Sequence, residues 1–224
     1  MMAKRFNRAE IPPAPDLKFE SDLWKNGLTC VAGLDEAGRG ALAGPLYAAA
    51  VVLPFKELAS LEEQLRGVRD SKQMGIPERD KWAERIKRIC SAYAIARVKV
   101  EEIDALGIGK AGRLVFERAL QALPAVPNHI LLDFFHLQGW SGRQTCLVKG
   151  DQRSLSIACA SVLAKTARDA HMQQLDKQYP HYHWRSNKGY GTTAHVQSIA
   201  EHGFSPHHRK SFHLHALDNP MLPF

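Results

Sequence analysis

Apolar residues fall along this chain in two rhythms. Short, nearly continuous runs occur at Cys30-Val-Ala-Gly-Leu34, Leu46-Tyr-Ala-Ala-Ala-Val-Val-Leu53 and His129-Ile-Leu-Leu-Asp133. Runs of that length predict strands buried on both faces. Residues 93–100 alternate as a half-buried strand does, and 145–149 predict one more. Between these runs, residues 78–89, 110–123 and 154–178 follow helical spacing. Pro77 suits the first turn of one helix, and Pro124 and Pro127 stop another. A shorter helix is predicted over 192–202. Residues 1–28 carry Ile11-Pro-Pro-Ala-Pro15 and read as an irregular leader. Strands interleaved with helices predict an α/β fold, one mixed sheet flanked by helices, with a small helical C-terminal region. The chain thus divides into a leader (1–28), a principal domain (29–205) and a basic, His-rich tail (206–224).

Composition narrows the partners. Lys and Arg number 30 against 23 Asp and Glu, a formal charge of +7. That excess favours a polyanion, because cationic surface releases counterions on meeting phosphate. The longest apolar stretch, 41–55, contains Gly44 and Pro45 and is too short to span a bilayer. The N-terminus lacks the apolar run of a secretory signal. Cys30, Cys90, Cys146 and Cys159 sit apart among apolar neighbours, which predicts buried, reduced thiols in a cytoplasmic protein.

The candidate chemistry lies where strands end. Asp35-Glu36 and Asp133 follow two predicted strands, and Asp151 follows a third. Sites on open α/β sheets form at strand ends, so these acids can converge on one edge. Clustered carboxylates stay ionised only with cations between them, and oxygen-only ligands select Mg²⁺ or Mn²⁺ over zinc. Two such ions support phosphodiester hydrolysis. Each acid could instead cap a turn. A glycosidase pair would leave the basic charge and the number of acids unexplained.

The residues around those acids are more specific. Gly33-Leu-Asp-Glu-Ala-Gly-Arg-Gly40 with Ala43-Gly-Pro45 resembles the opening signature of the ribonuclease HII family. The resemblance continues through Asp70-Ser-Lys72, Asp133, Lys149-Gly-Asp151, Ser156-Ile-Ala-Cys-Ala-Ser-Val-Leu-Ala-Lys165 with Arg168-Asp169, and Lys188-Gly-Tyr-Gly-Thr192 with His195. The blocks stand in family order over most of the chain. The resemblance implies a ribonuclease H-like fold and an endonuclease acting on RNA/DNA hybrids and on duplex DNA containing ribonucleotides. It would cut 5′ of the ribonucleotide and leave a 3′-hydroxyl and a 5′-phosphate. It implies that Asp35, Glu36, Asp133 and Asp151 hold Mn²⁺ or Mg²⁺, two ions during catalysis. Gly38, Arg39, Gly40 and Tyr190 would read the 2′-hydroxyl and the RNA-to-DNA junction, with Ser71, Lys72, Lys165 and Lys188 also at the substrate. Glycines let backbone approach a minor groove, and a tyrosine offers a sugar a stacking face. A monomer suffices for this. Phe134-Phe135 and Asn187 depart from the family pattern, where glycine and histidine are common.

Other signals are set aside. Gly107-Ile-Gly-Lys-Ala-Gly112 matches a dinucleotide-loop spacing, but residues 101–106 separate it from any strand. Ser161 and Lys165 lie one helical turn apart in a small-residue setting that suits packing better than a nucleophile pair. Asp169 reads as a surface ion pair. His202, His207, His208, His213 and His215 show no zinc spacing; with Arg209 and Lys210 they read as a tail that grips duplex phosphate or is simply solvated. Two competing classes remain. A non-cleaving hybrid-binding module would gain nothing from carboxylates facing phosphate. A DNA nuclease of the same superfold would have no 2′-hydroxyl to read.

Overall fold

The computed structural model describes residues 11–55, 58–133 and 135–212. Five strands, β1 (Val31–Ala37), β2 (Leu46–Val52), β3 (Ala92–Val98), β4 (His129–Asp133) and β5 (Arg143–Leu147), form one sheet in the order β3-β2-β1-β4-β5. β2 runs antiparallel to both its neighbours, β1 and β3, while β4 and β5 add in parallel beyond β1. The sheet is therefore mixed, as the interleaved pattern requires. β1 and β2 are the apolar runs because both their faces are covered.

The helices are α1 (Lys18–Lys25), α2 (Leu58–Gln64), α3 (Ile76–Ile89), α4 (Val100–Gln121), α5 (Leu155–Gln178), α6 (Trp184–Asn187) and α7 (Thr193–His202). One face of the sheet packs Ala49 and Val51 against Ala158, Val162 and Leu163 of α5, with α2 and α3 beyond. The other packs Leu34, Ala48, Ala50 and Leu132 against Val115, Phe116 and Ala119 of α4. Caps set the boundaries. Ser154 accepts a hydrogen bond from Ile157 N at the start of α5, and Thr192 accepts one from His195 N at the start of α7.

The structure corrects several expectations. The leader is not irregular throughout: it contains α1, whose Glu20 is fully buried. Glu20 accepts hydrogen bonds from Ser154 Oγ, Ser156 N and Ser156 Oγ, tying the leader to the first turn of α5. Burial raises its pKa. α4 begins ten residues before the predicted start, where the Glu102 carboxylate accepts the Lys99 N–H at 2.9 Å across the first turn; a positive φ of 76° at Gly107 joins two helical pieces. The Gly107–Gly112 stretch thus lies inside a helix, in keeping with its separation from any strand. Of the cysteines only Cys159 is buried, and Cys146 is exposed.

The tail correction bears most on function. His208 and Arg209 are 0% and 1% exposed, so neither meets solvent or a duplex. Asp104 on α4 accepts hydrogen bonds from Lys210 N, Ser211 N and Ser211 Oγ. The buried Arg209 guanidinium donates from Nε and Nη1 to backbone carbonyls far away in sequence, while its Nη2 is buried without a hydrogen-bond partner. His213 and His215 lie outside the described residues. Among the described residues, no helix is long and apolar enough to cross a membrane.

Candidate active site

The sheet brings the acids to one edge. β1 and β4 pair with Leu34 opposite Leu132, so the next step puts Asp35 level with Asp133. Asp151 sits in the 3-10 turn Gly150–Gln152 between β5 and α5. The Asp133 carboxylate accepts Gly150 N–H at 2.7 Å, which fixes that turn against β4. Asp35 and Asp151 are buried, while Glu36 and Asp133 are partly exposed. Asp70, not counted among the candidates from sequence, is a fifth acid here. It is buried and caps the 3-10 turn Ser71–Gln73 by accepting Lys72 N–H.

Each acid senses the others. Burial pushes the Asp35 carboxyl well up, and Glu36, Asp133 and Asp151 push it further, against one hydroxyl bond from Ser161. Burial raises Glu36, partly offset by Arg39 at 3.8 Å. Burial also raises Asp133, opposed by Gly150 N–H. Asp151 is pushed up to about 6 by burial, Asp133 and Asp70. Lys72 Nζ opposes this from 3.9 Å off Oδ2, at the end of an exposed arm. Asp151 Oδ1 is buried without a hydrogen-bond partner.

Such a field is costly unless a cation enters it. An orphaned carboxylate oxygen and an all-oxygen donor set fit a hard divalent ion. Among the described residues, no three His, Cys, Asp or Glu side chains already stand as an ion cage. The acids share a field, and an ion would have to draw their arms together.

A stability measurement checks this. Asp151 holds its proton to about 6 in the fold, against 3.8 ordinarily, so the folded protein binds more protons than the unfolded chain between those values. Stability from this group is therefore full below about pH 4, falls as pH rises to about 6, and stays lower above. A bound ion reverses the loss. Added Mg²⁺ should raise the unfolding midpoint by a few degrees at about pH 8 and by much less at about pH 5. Equal gains at both pH values would count against ion binding by these acids.

Beside the acids lies a cleft of about 430 Å³ lined by Glu36, Ala37, Gly38, Arg39, Gly40, Ser71, Lys72, Ser161, Lys165 and Tyr190. Apart from Lys188, every substrate residue suggested by the sequence resemblance lines it. The Lys188 ammonium instead turns back to donate to Arg185 O, and the residue is buried. Gly38 has φ +95°, and any Cβ there would collide with Arg168. Arg39 lies over the Phe135 ring at 5.5 Å, and Phe135 packs on Phe116, so this departure from the family pattern forms a shelf for Arg39. Phe134 lies outside the described residues. Asn187, the other departure, accepts Gly189 N–H and donates to Tyr182 O, holding the loop before Tyr190.

Lys165 reaches the cleft because α5 carries an inward polar stripe at helical spacing: Ser161, Lys165, Arg168 and Asp169. Asp169 is no surface ion pair. It is buried, accepting from Lys165 Nζ at 2.6 Å and from Arg79 Nη2 at 2.5 Å. Arg168, fully buried, donates to the carbonyls of Ala43, Pro45 and Lys188. Lys165 and Arg168 flank the Tyr190 ring at 5.6 and 5.3 Å. Ser161 shares a hydrogen bond with Ser71, so it packs and orients instead of serving as a nucleophile.

Known proteins resemble this chain over most of its length. The family model for ribonuclease HII matches residues 32–215. A ribonuclease HII of Synechococcus sp. (strain JA-3-3Ab) is 52% identical over 199 residues, covering 88% of either chain. One of Anaeromyxobacter sp. (strain Fw109-5) is 46% identical over 196 residues, covering 88% of this chain and 60% of that one. Among solved structures, the ribonuclease H2 of Pyrococcus horikoshii OT3 superposes with a TM-score of 0.69 at 26% identity, over 81% of this chain and 93% of that one.

Proposed function

The chain belongs to the ribonuclease HII family and is a ribonuclease H endonuclease; from that premise we propose that it hydrolyses the RNA strand of RNA/DNA hybrids and also cuts duplex DNA 5′ of a single ribonucleotide. The products are a 3′-hydroxyl and a 5′-phosphate. The observation that carries the reading is the juxtaposition of two unlike walls: a crowded carboxylate edge with an unsatisfied Asp151 oxygen, and a cleft walled by Gly38-Arg39-Gly40 and Tyr190.

Asp35, Glu36, Asp133 and Asp151 would hold Mn²⁺ or Mg²⁺, two ions in the working enzyme. When bound, such ions supply charge neutralisation at the scissile phosphate and lower the pKa of a coordinated water. The protein's own groups do the rest. Gly38 and Gly40 bring bare backbone to the minor groove, where a 2′-hydroxyl is exposed. The Tyr190 ring meets the sugar at the junction. Lys72 and Lys165 balance phosphate charge at the cleft, and Ser71 orients Ser161 behind the acids. The enzyme acts as a monomer, and its free thiols suit the reducing cytoplasm.

The test is a DNA duplex carrying one ribonucleotide, incubated with the protein and Mg²⁺ or Mn²⁺, with both product ends mapped. One cut 5′ of the ribonucleotide with the stated ends is expected. Cutting of an all-DNA duplex at the same rate would overturn the proposal.

A further inference from the structure

Two loops read the substrate in the reading above, and the chain beyond α7 touches both. His208 pairs with Ala43 in an isolated antiparallel bridge, and Arg209 N donates to Leu42 O. Arg209 then sends its guanidinium under the first loop, Nε to Gly44 O at 3.0 Å and Nη1 to Arg39 O at 2.9 Å. Arg39 is the middle residue of the Gly-Arg-Gly element, so this bond reaches the element's tip.

His208 reaches the second loop through His195. A carbonyl only accepts, so His195 Nδ1 carries the proton in its 2.9 Å bond to Tyr190 O. Its Nε2 is then an acceptor, and it takes Trp184 Nε1–H at 2.9 Å and lies 3.2 Å from His208 Nε2. His208 Nδ1 accepts Ser205 N–H at 2.9 Å, which leaves the proton on Nε2, directed at His195. Every ring proton is thereby assigned with both rings neutral. Burial and the neighbouring His195 hold His208 down to about 4, in keeping with that assignment.

The loop bases are already joined. Leu42 N and Ala43 N both donate to Gly189 O, and Arg168 binds carbonyls of both loops. Arg168 also packs against Gly38 and the Tyr190 ring, yet its hydrogen bonds go to the carbonyls of Ala43, Pro45 and Lys188. Arg209 adds a bond to Arg39 O, and the His208–His195 chain adds one to Tyr190 O.

We propose that His208 and Arg209 are positioning residues that fix the spacing between the Gly38-Arg39-Gly40 backbone and Tyr190, and so set how strongly the enzyme favours a single ribonucleotide in DNA over a continuous hybrid. The proposal rests on the assignment of those two elements as readers. At a lone ribonucleotide, one 2′-hydroxyl and one junction must meet both elements at once, so spacing errors are felt fully. A continuous hybrid offers other ribose contacts that compensate.

The test compares kcat and KM on both substrates, at saturating Mg²⁺ or Mn²⁺, for wild type, Arg209→Lys, His208→Ala, His208→Gln and Tyr190→Ala, and for His208→Ala combined with Tyr190→Ala. A lysine ammonium lacks the planar fork that serves two carbonyls at once. Arg209→Lys should therefore lower kcat/KM at the single ribonucleotide about tenfold and on the hybrid less than about threefold. His208→Ala should behave alike, while His208→Gln, which keeps a donor near His195, should recover part of the preference. In the Tyr190→Ala background, His208→Ala should change the preference no further. Parallel melting curves register any general loosening. If Tyr190→Ala alters the preference but Arg209→Lys and His208→Ala leave it at the wild-type value, or lower both substrates equally as the melting temperature falls, positioning is overturned and the reading of Tyr190 stands. If Tyr190→Ala leaves the preference unchanged, the reader assignment itself falls, and the proposal with it.

Discussion

Asp133→Asn should fold as the wild type does and cut neither substrate, with turnover down by about a thousandfold or more. The side chain ends β4, level with Asp35, and one oxygen already accepts Gly150 N–H. An asparagine oxygen accepts the same bond, so the turn carrying Asp151 keeps its anchor. What disappears is charge. Asp133 is one of the groups that raise Asp35 and Asp151, so its neutralisation relaxes the acid edge and should leave the ion-free protein as stable or slightly more so. The ion-dependent gain in unfolding midpoint should shrink in the same variant, because one anionic ligand is lost. Hybrid binding should survive or tighten, since a carboxylate that repels phosphate is gone. Rates of cleavage, melting with and without Mg²⁺, and binding are read separately. Near wild-type turnover at saturating Mg²⁺ or Mn²⁺ would remove Asp133 from the metal set.

The parts of this molecule legible in its sequence are those whose burial leaves a local signature. β1, β2 and β4 stand out because both faces of the sheet are covered, which writes a continuous apolar run. The acids that follow the apolar runs of β1 and β4 stand out because a carboxylate breaks such a run abruptly, although β1 itself continues through Asp35 and Glu36 to Ala37. Residues buried through distant partners are harder to see. Glu20 lies in a charged, Pro-flanked leader, and only the folded chain puts it against Ser154 and Ser156. Arg209, beside histidines and Lys210, has the composition of a solvated basic tail, yet it is buried and donates to carbonyls 165 and 170 positions away. Asp169 misleads for the same reason: its partner Arg79 stands 90 residues off. The α5 stripe is the exception within reach. Ser161, Lys165, Arg168 and Asp169 follow one face of a helix whose first half is otherwise small and apolar, and a polar stripe on a buried helix points into a site.

Tyr190 separates recognition from chemistry, and Tyr190→Ala should show it by sparing metal binding while cleavage at a single ribonucleotide collapses, by about a hundredfold. The ring forms one wall of the cleft and carries no charge for an ion. Its own position is over-determined: Lys165 and Arg168 flank it, Tyr190 N–H bonds to Asn187 O, and His195 holds its carbonyl. A ring fixed so firmly loses little entropy on meeting a sugar, which is what a reader needs. Tyr190→Phe keeps the ring and both flanking cations and loses only the hydroxyl, so it should cost on the order of 1 kcal/mol, roughly fivefold. On a continuous hybrid, both variants should lose less, since that substrate has ribose at every position and no internal junction. The Mg²⁺-dependent rise in melting temperature should match wild type in both, because Asp35, Glu36, Asp133 and Asp151 are untouched. Cleavage of the two substrates by the three proteins under identical metal gives the answer. Equal activity of Tyr190→Ala and wild type on the single-ribonucleotide duplex would leave Tyr190 as a packing residue between Lys165 and Arg168.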